Sequence, residues 1–147
     1  MTTFIFWQRW LFFSSLIFAL FGIIFAVDGD NIFFEPYNRA LSKVFWHSLE
    51  IPLEIKSFRA FIYGPLGGTI ASSYILVAYI AYYPFKRKEK WARNAIIVAF
   101  GVWVILDSTI CIVYHVYFQI YIINAFSIIV KALPLFFTWK EFKEAKP

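Results

Sequence analysis

The sequence predicts an all-α integral membrane protein, a four-helix bundle of four transmembrane helices with both termini on the cytoplasmic side. Three observations carry that prediction. The first is composition: 61% of the 147 residues are hydrophobic and 16% are charged, and the mean hydropathy is +0.67. Soluble domains hold about 45–50% apolar and about 25% charged residues, and a domain this small could not hide so many Phe, Ile and Trp side chains from water. The second is the length of the uncharged runs, since a helix needs about 20 apolar residues to cross a hydrocarbon core. The third is that Lys and Arg gather at alternate ends of those runs, as the positive-inside rule requires.

The first span is expected over about 7–27. Trp10 to Val27 carry no charge, with Arg9 before and Asp28 after. A cleaved signal peptide is the competing reading. The apolar run is long for one, its basic flank is a single Arg, and no small-x-small cleavage site precedes Asp28, so a retained helix is expected. Ser15, Ala19, Gly22 and Ala26 form a small-residue stripe along it, which lets helix backbones approach closely.

The loop 28–58 follows. Asp28-Gly29-Asp30-Asn31 reads as a turn. From about 36 to 49, Tyr37, Leu41, Val44, Phe45 and Leu49 recur at helical spacing, with Arg39 and Lys43 on another face. A short amphipathic interfacial helix in the first external loop is expected, ended by Pro52.

The second span is expected over about 59–84, uncharged from Ala60 to Phe85. Gly64, Gly68 and Ser72 follow the small-xxx-small pattern, joined by Gly67 and Ala71, and offer a seam for packing, for a homo-oligomer or for a partner membrane protein. Pro65 is placed in the first turn, where its missing N–H costs little.

Asn94 to Thr138 contain only two formal charges, Asp107 and Lys131. As one helix this stretch would be nearly 70 Å long, so it folds back. No Gly or Pro marks the turn within its central part. Around Tyr117 to Ile120 the polar Gln119 makes the best turn candidate, giving spans of about 93–117 and 120–139.

Orientation follows from the cations near the spans. Arg9, Lys86, Arg87, Lys88, Lys90, Arg93, Lys140, Lys143 and Lys146 share one side. Arg39, Lys43, Lys56 and Arg59 share the other, offset by Asp28, Asp30, Glu35, Glu50 and Glu54. The first set is read as cytoplasmic. Trp7, Trp10, Tyr82, Tyr83, Trp91 and Trp139 map to that interface, and Tyr37, Trp46, Tyr63, Tyr117 and Tyr121 to the other, where amphipathic rings are favoured. The net charge of +5 is therefore assigned to membrane topology and anionic lipid headgroups, with membrane lipids as partners and no nucleic acid. A multi-pass location in a bacterial inner membrane or another cellular membrane is expected.

The sharpest chemical feature is the pair Asp107 and Lys131, because a charge at the bilayer centre costs about 2.5–3.5 kcal/mol on insertion scales and demands a partner or a wet cavity. A turn at residue 119 sets the two at equal depth, so an ion pair locking the last two helices is expected. Trp103, Asp107, Cys111 and His115 lie along one face of the third span, and Asn124, Ser127 and Lys131 along one face of the fourth. The ligand-binding set expected from these stripes is Asp107, Lys131, Trp103, His115, Asn124 and Ser127, surrounding an intramembrane cleft for a lipid, another apolar small molecule or a partner helix.

Two other classes compete. An oligomeric transporter or channel component would use the same polar centre. A lipid-modifying enzyme would need Asp107 as acid or base assisted by His115, and those two lie about 12 Å apart along one helix, too far to share a proton directly. No catalytic signature is present. No cofactor is expected. No metal is expected either: Pro52 interrupts His47, Glu50 and Glu54, and Asp28–Asn31 is too short for a calcium loop. Cys111 alone forms no internal disulfide and reads as a small buried hydrophobe.

Overall fold

The computed structural model describes residues 3–142. It is all-α, with five α-helices: α1 (Thr3–Asp28), α2 (Glu35–Trp46), α3 (Leu53–Ile80), α4 (Lys90–Val113) and α5 (Ala125–Phe137). A π turn at Ala81–Phe85 extends α3, another at Gln119–Asn124 leads into α5, and a 3-10 turn (Trp139–Glu141) follows. Four stretches are long and apolar enough to cross a membrane: Thr3–Asp28, Leu53–Phe85, Lys90–Val113 and Gln119–Phe137. Helices are the expected form for such runs, because in lipid every backbone N–H and C=O must find its partner within the segment. Lys143, Glu144 and Lys146 of the expected basic tail lie outside the described residues.

Three boundaries differ from the sequence expectation. Helix α2 stops at Trp46, because His47 takes a left-handed conformation (φ 53°). Pro52 does not end α2. It stands immediately before α3, its carbonyl accepting the Ile55 N–H at 3.0 Å, a position where a proline's fixed φ suits a helix start. The second long stretch therefore begins at Leu53 and carries Lys56 and Arg59 within the helix. The third difference bears on the site. Helix α4 ends at Val113, and the turn occupies Tyr114 to Val116, ahead of the expected 117–120.

The chain divides into two compact units. The first takes residues 1–16 and 75–147, so it holds the start of α1, the end of α3, α4 and α5. Its core is Phe4, Leu11, Val77, Ala81, Phe85, Ala92, Ile96, Leu135 and Phe142. Phe85 stacks on Phe4 at 6.0 Å and meets Phe142 edge-on at 4.7 Å. The start of α1, the α3–α4 turn and the end of α5 thus meet at one end of this unit. Arg93 joins them from α4, with its guanidinium 4.0 Å from the Trp139 ring centre. Buried Gln8 donates to the Ala81 carbonyl at 2.9 Å, where α3 passes into the π turn. That turn contains Pro84, which has no N–H to continue the α-helical ladder.

The second unit is residues 17–74. Here α1 and α3 approach through Gly22 and Gly67. A Cβ on Gly67 would come within 2.5 Å of the Ala26 nitrogen and the Gly22 oxygen, and one on Gly22 within 2.6 Å of the Ala71 nitrogen. Glycine is required at both positions for the backbones to come this close. Gly64 and Gly68 have open space where a side chain would be, so the helix contact uses the Gly67–Ala71 face, and Gly64, Gly68 and Ser72 point elsewhere. Asn38 of α2 donates to the Gly29 carbonyl at 2.9 Å and accepts from the Tyr63 hydroxyl at 2.7 Å. The buried face of α2 is thus polar, Asn38 and Ser42, while Tyr37, Leu41 and Val44 are half-buried and Phe45 is exposed.

Candidate functional site

The turn between α4 and α5 determines which polar residues meet. Val116 N–H bonds the Cys111 carbonyl at 2.8 Å and His115 N–H the Ile112 carbonyl at 3.2 Å, the bond pair of a Schellman motif. The left-handed residue is His115, with φ 59°. Glycine usually fills this position, so no breaker marks the turn in the sequence. The exposed His115 ring lies 3.0 Å from the Tyr117 hydroxyl through Nδ1. It belongs to the turn and makes no contact with Asp107.

With the turn centred on residue 115, the residue opposite Asp107 is near 123 and no longer 131. Asn124 occupies that depth and donates through Nδ2 to Asp107 Oδ2 at 2.7 Å. Gln119 Nε2 donates to both carboxylate oxygens, at 2.9 and 3.1 Å. The π turn makes this pair of contacts possible. Five residues are about 1.4 turns of an α-helix, which would point Gln119 and Asn124 in different directions. The i→i+5 bonding of a π turn brings such residues onto nearly the same face. Ser108 Oγ lies 3.3 Å from Asn124 Nδ2, and the buried Cys111 thiol lies 3.5 Å from Asp107 Oδ2. Asn124 is itself buried, and its Oδ1 has no hydrogen-bond donor among the described residues.

Lys131 sits elsewhere. It is 1% exposed, and its Nζ donates to the hydroxyls of Ser14 at 3.2 Å and Ser15 at 3.4 Å on α1. Each serine passes its own proton to the Leu11 carbonyl, Ser15 at 2.7 Å and Ser14 at 3.2 Å. Their oxygens are thereby left to accept from the ammonium. Close by, Trp10 Nε1 donates to the Val130 carbonyl at 3.1 Å. Asp107 and Lys131 therefore take separate partners, in place of the single ion pair that a turn at residue 119 implied. Their offset along the hairpin is about eight residues, or about 12 Å.

The remaining expected residues divide. Asn124 joins the Asp107 centre. Ser127 is buried on α5 without entering it. Trp103 is half-buried and packs edge-on against Phe100 at 6.0 Å. Sequence reasoning missed Gln119, which it assigned to the turn, and missed Ser14 and Ser15 as the hydroxyls that receive Lys131. Their adjacent positions on an otherwise apolar α1 were the available signal for the serines.

A further feature of the first unit is an open cleft of about 270 Å³ lined by Phe12 and Leu16 of α1 and by Ile75, Ala78, Tyr79, Tyr82 and Tyr83 of α3 and its π extension. The α3 residues recur at i, i+3, i+4, i+7 and i+8, one helical face. Lys86 stands at the Tyr82 end, its ammonium 5.3 Å from that ring's centre. In the same turn Lys88 takes a left-handed φ of 62°. Glu89 accepts from Arg87 Nε at 2.6 Å and from Trp91 Nε1 at 2.5 Å. Those two hydrogen bonds, the Arg87 one first, hold the Glu89 carboxyl below its ordinary value. Among the described residues no three His, Cys, Asp or Glu side chains converge as a metal-holding group. Comparison with protein-family models, curated proteins and solved structures gives no match.

Proposed function

We propose that this chain is a binding protein of the membrane interior, holding a lipid or another apolar molecule against its helices without chemical turnover. The observation that carries this reading is the apolar cleft between Phe12 and Leu16 on one side and Ile75, Tyr79, Tyr82 and Tyr83 on the other. Ligand sites are typically concave and mostly apolar, with a few polar groups at one end. This relocates the site from a cleft around Asp107 and Lys131, whose hydrogen bonds are directed to neighbouring helices and which serve here as internal polar clamps. The Asp107–His115 enzyme reading loses its assisting group to the turn. Mass spectrometry of molecules retained through mild detergent purification tests the proposal. A defined lipid that is lost in Leu16→Trp supports it, and equal retention by that variant removes the cleft from the argument.

We also propose that both termini face the cytoplasm. The start of α1, the α3–α4 turn and the end of α5 meet at one end of a single packed unit, and that end carries Lys86, Arg87, Lys88, Arg93 and Lys140. Tags at either terminus that are reached by a protease added to intact cells would reverse the orientation.

A second reading has its own observation. Gly64 and Gly68 meet no atom within 4 Å of an added Cβ, and Ser72 is exposed beside them. This face suits close approach by a helix of a second copy or of a partner membrane protein. Crosslinking through cysteines introduced at Gly68 and Ser72 tests for the second copy.

A further inference from the structure

We infer that the occupant of the cleft is an anionic phospholipid, one acyl chain lying between Phe12 and Tyr79 and the phosphate resting at Lys86. The inference rests on the lipid-binding reading and specifies the headgroup. From Ile75 to Tyr83 the lining runs along eight residues, about 12 Å of helix, so it offers a track along a chain rather than a spherical pocket. The track ends where the charges begin.

Three neighbouring cations have protein partners of their own. Arg87 pairs with Glu89 at 2.6 Å and Lys88 with Glu141 at 2.7 Å. Buried Arg93 stacks on Trp139. Lys86 is exposed, and its ammonium lies over the face of Tyr82, a residue that itself lines the cleft. Its positive charge therefore stands at the mouth of an apolar track with no carboxylate partner among the described residues. The hydroxyls of Tyr79, Tyr82 and Tyr83 make no hydrogen bond among the described residues, and all three rings are exposed. A phosphodiester supplies what these groups lack: a negative charge for the ammonium and acceptor oxygens for the phenols. Tyrosine at this level joins an apolar ring to a polar tip, the usual arrangement at a lipid headgroup.

The test uses the full chain in detergent micelles and native mass spectrometry, with phosphatidylglycerol and phosphatidylcholine of identical acyl chains competing. Wild-type protein is expected to retain phosphatidylglycerol over phosphatidylcholine by about fivefold, the ratio that one surface cation worth about 1 kcal/mol produces. Lys86→Gln is expected to bring that ratio close to one while phosphatidylcholine retention is unchanged. Lys86→Arg is expected to preserve the preference. Leu16→Trp is expected to reduce both lipids together. Circular dichroism melts of each variant identify any that fail to fold, and Lys86→Gln alters only an exposed side chain. Equal retention of the two lipids by wild type, or a preference that survives Lys86→Gln, overturns the headgroup assignment and leaves the cleft intact. Retention of both lipids by a folded Leu16→Trp overturns the cleft reading itself.

Discussion

The partner of Asp107 can be identified by measuring which neighbour it is energetically coupled to. The perturbations are Asp107→Ala, Asn124→Ala, Lys131→Ala and the double variants that join Asp107→Ala to each of the others. Asp107 accepts one bond from Asn124 at 2.7 Å and a forked one from Gln119 at 2.9 and 3.1 Å. Hydrogen bonds between membrane helices average about 0.6 kcal/mol and reach about 1.7, while bonds to a charged group in proteins generally give about 1.5–3 kcal/mol. The Asn124 bond is short, and its donor is 1% exposed, so a coupling of about 1–2 kcal/mol is expected for Asp107 with Asn124. Lys131 lies about 12 Å further along the hairpin, and sites that far apart add within about 0.5 kcal/mol. Reversible unfolding in bicelles, followed by steric trapping, provides the four free energies of each cycle. A coupling of Asp107 to Lys131 that equals or exceeds its coupling to Asn124 would refute the hairpin register and restore the turn to residue 119.

Three further outcomes are expected. Gly67→Val drives methyl groups into the α1 backbone at Ala26 and Gly22 and should cost about 1–3 kcal/mol of stability, whereas Gly68→Val, facing open space, should cost much less; thermal unfolding in detergent compares them. His115→Gly relieves a left-handed residue (φ 59°) and should stabilise the fold by up to about 1 kcal/mol, reduced by the lost contact to Tyr117; a lower melting temperature than wild type contradicts the assigned turn. Glu89 has its carboxyl lowered from 4.5 by hydrogen bonds from Arg87 and Trp91. A depressed folded value means that its contribution is fully present above pH about 4.5 and is lost as the pH falls through the lower, folded value. Hydrogen exchange at the amides of residues 86–91 should therefore speed up at that acid edge, over and above the intrinsic rate, in wild type and not in Glu89→Gln.

The apolar composition and the long uncharged runs told that this chain forms helices long and apolar enough to cross a membrane, because hydropathy and length are properties of a segment alone. They located the four long helices, and the small-residue stripe through Ser15, Ala19 and Gly22 correctly marked a buried face of α1. Helix ends were harder to read. His47, Lys88 and His115 take the left-handed conformation that glycine usually signals, so no glycine marked these turns, and Pro52 opened a helix where it was expected to close one.

The site depended on those ends. Moving one turn by four residues changes the neighbour of Asp107 from Lys131 to Asn124, and a π turn adds Gln119, because depth in a hairpin is counted from the turn. Sequence alone determined which residues need a polar partner in lipid. Only the tertiary structure decided which partner each one found, since that choice depends on turn position and helical phase across distant parts of the chain. The same holds for α3, where both Gly67 and Gly68 suit close packing and only the helix's rotation about its axis put Gly67 against α1.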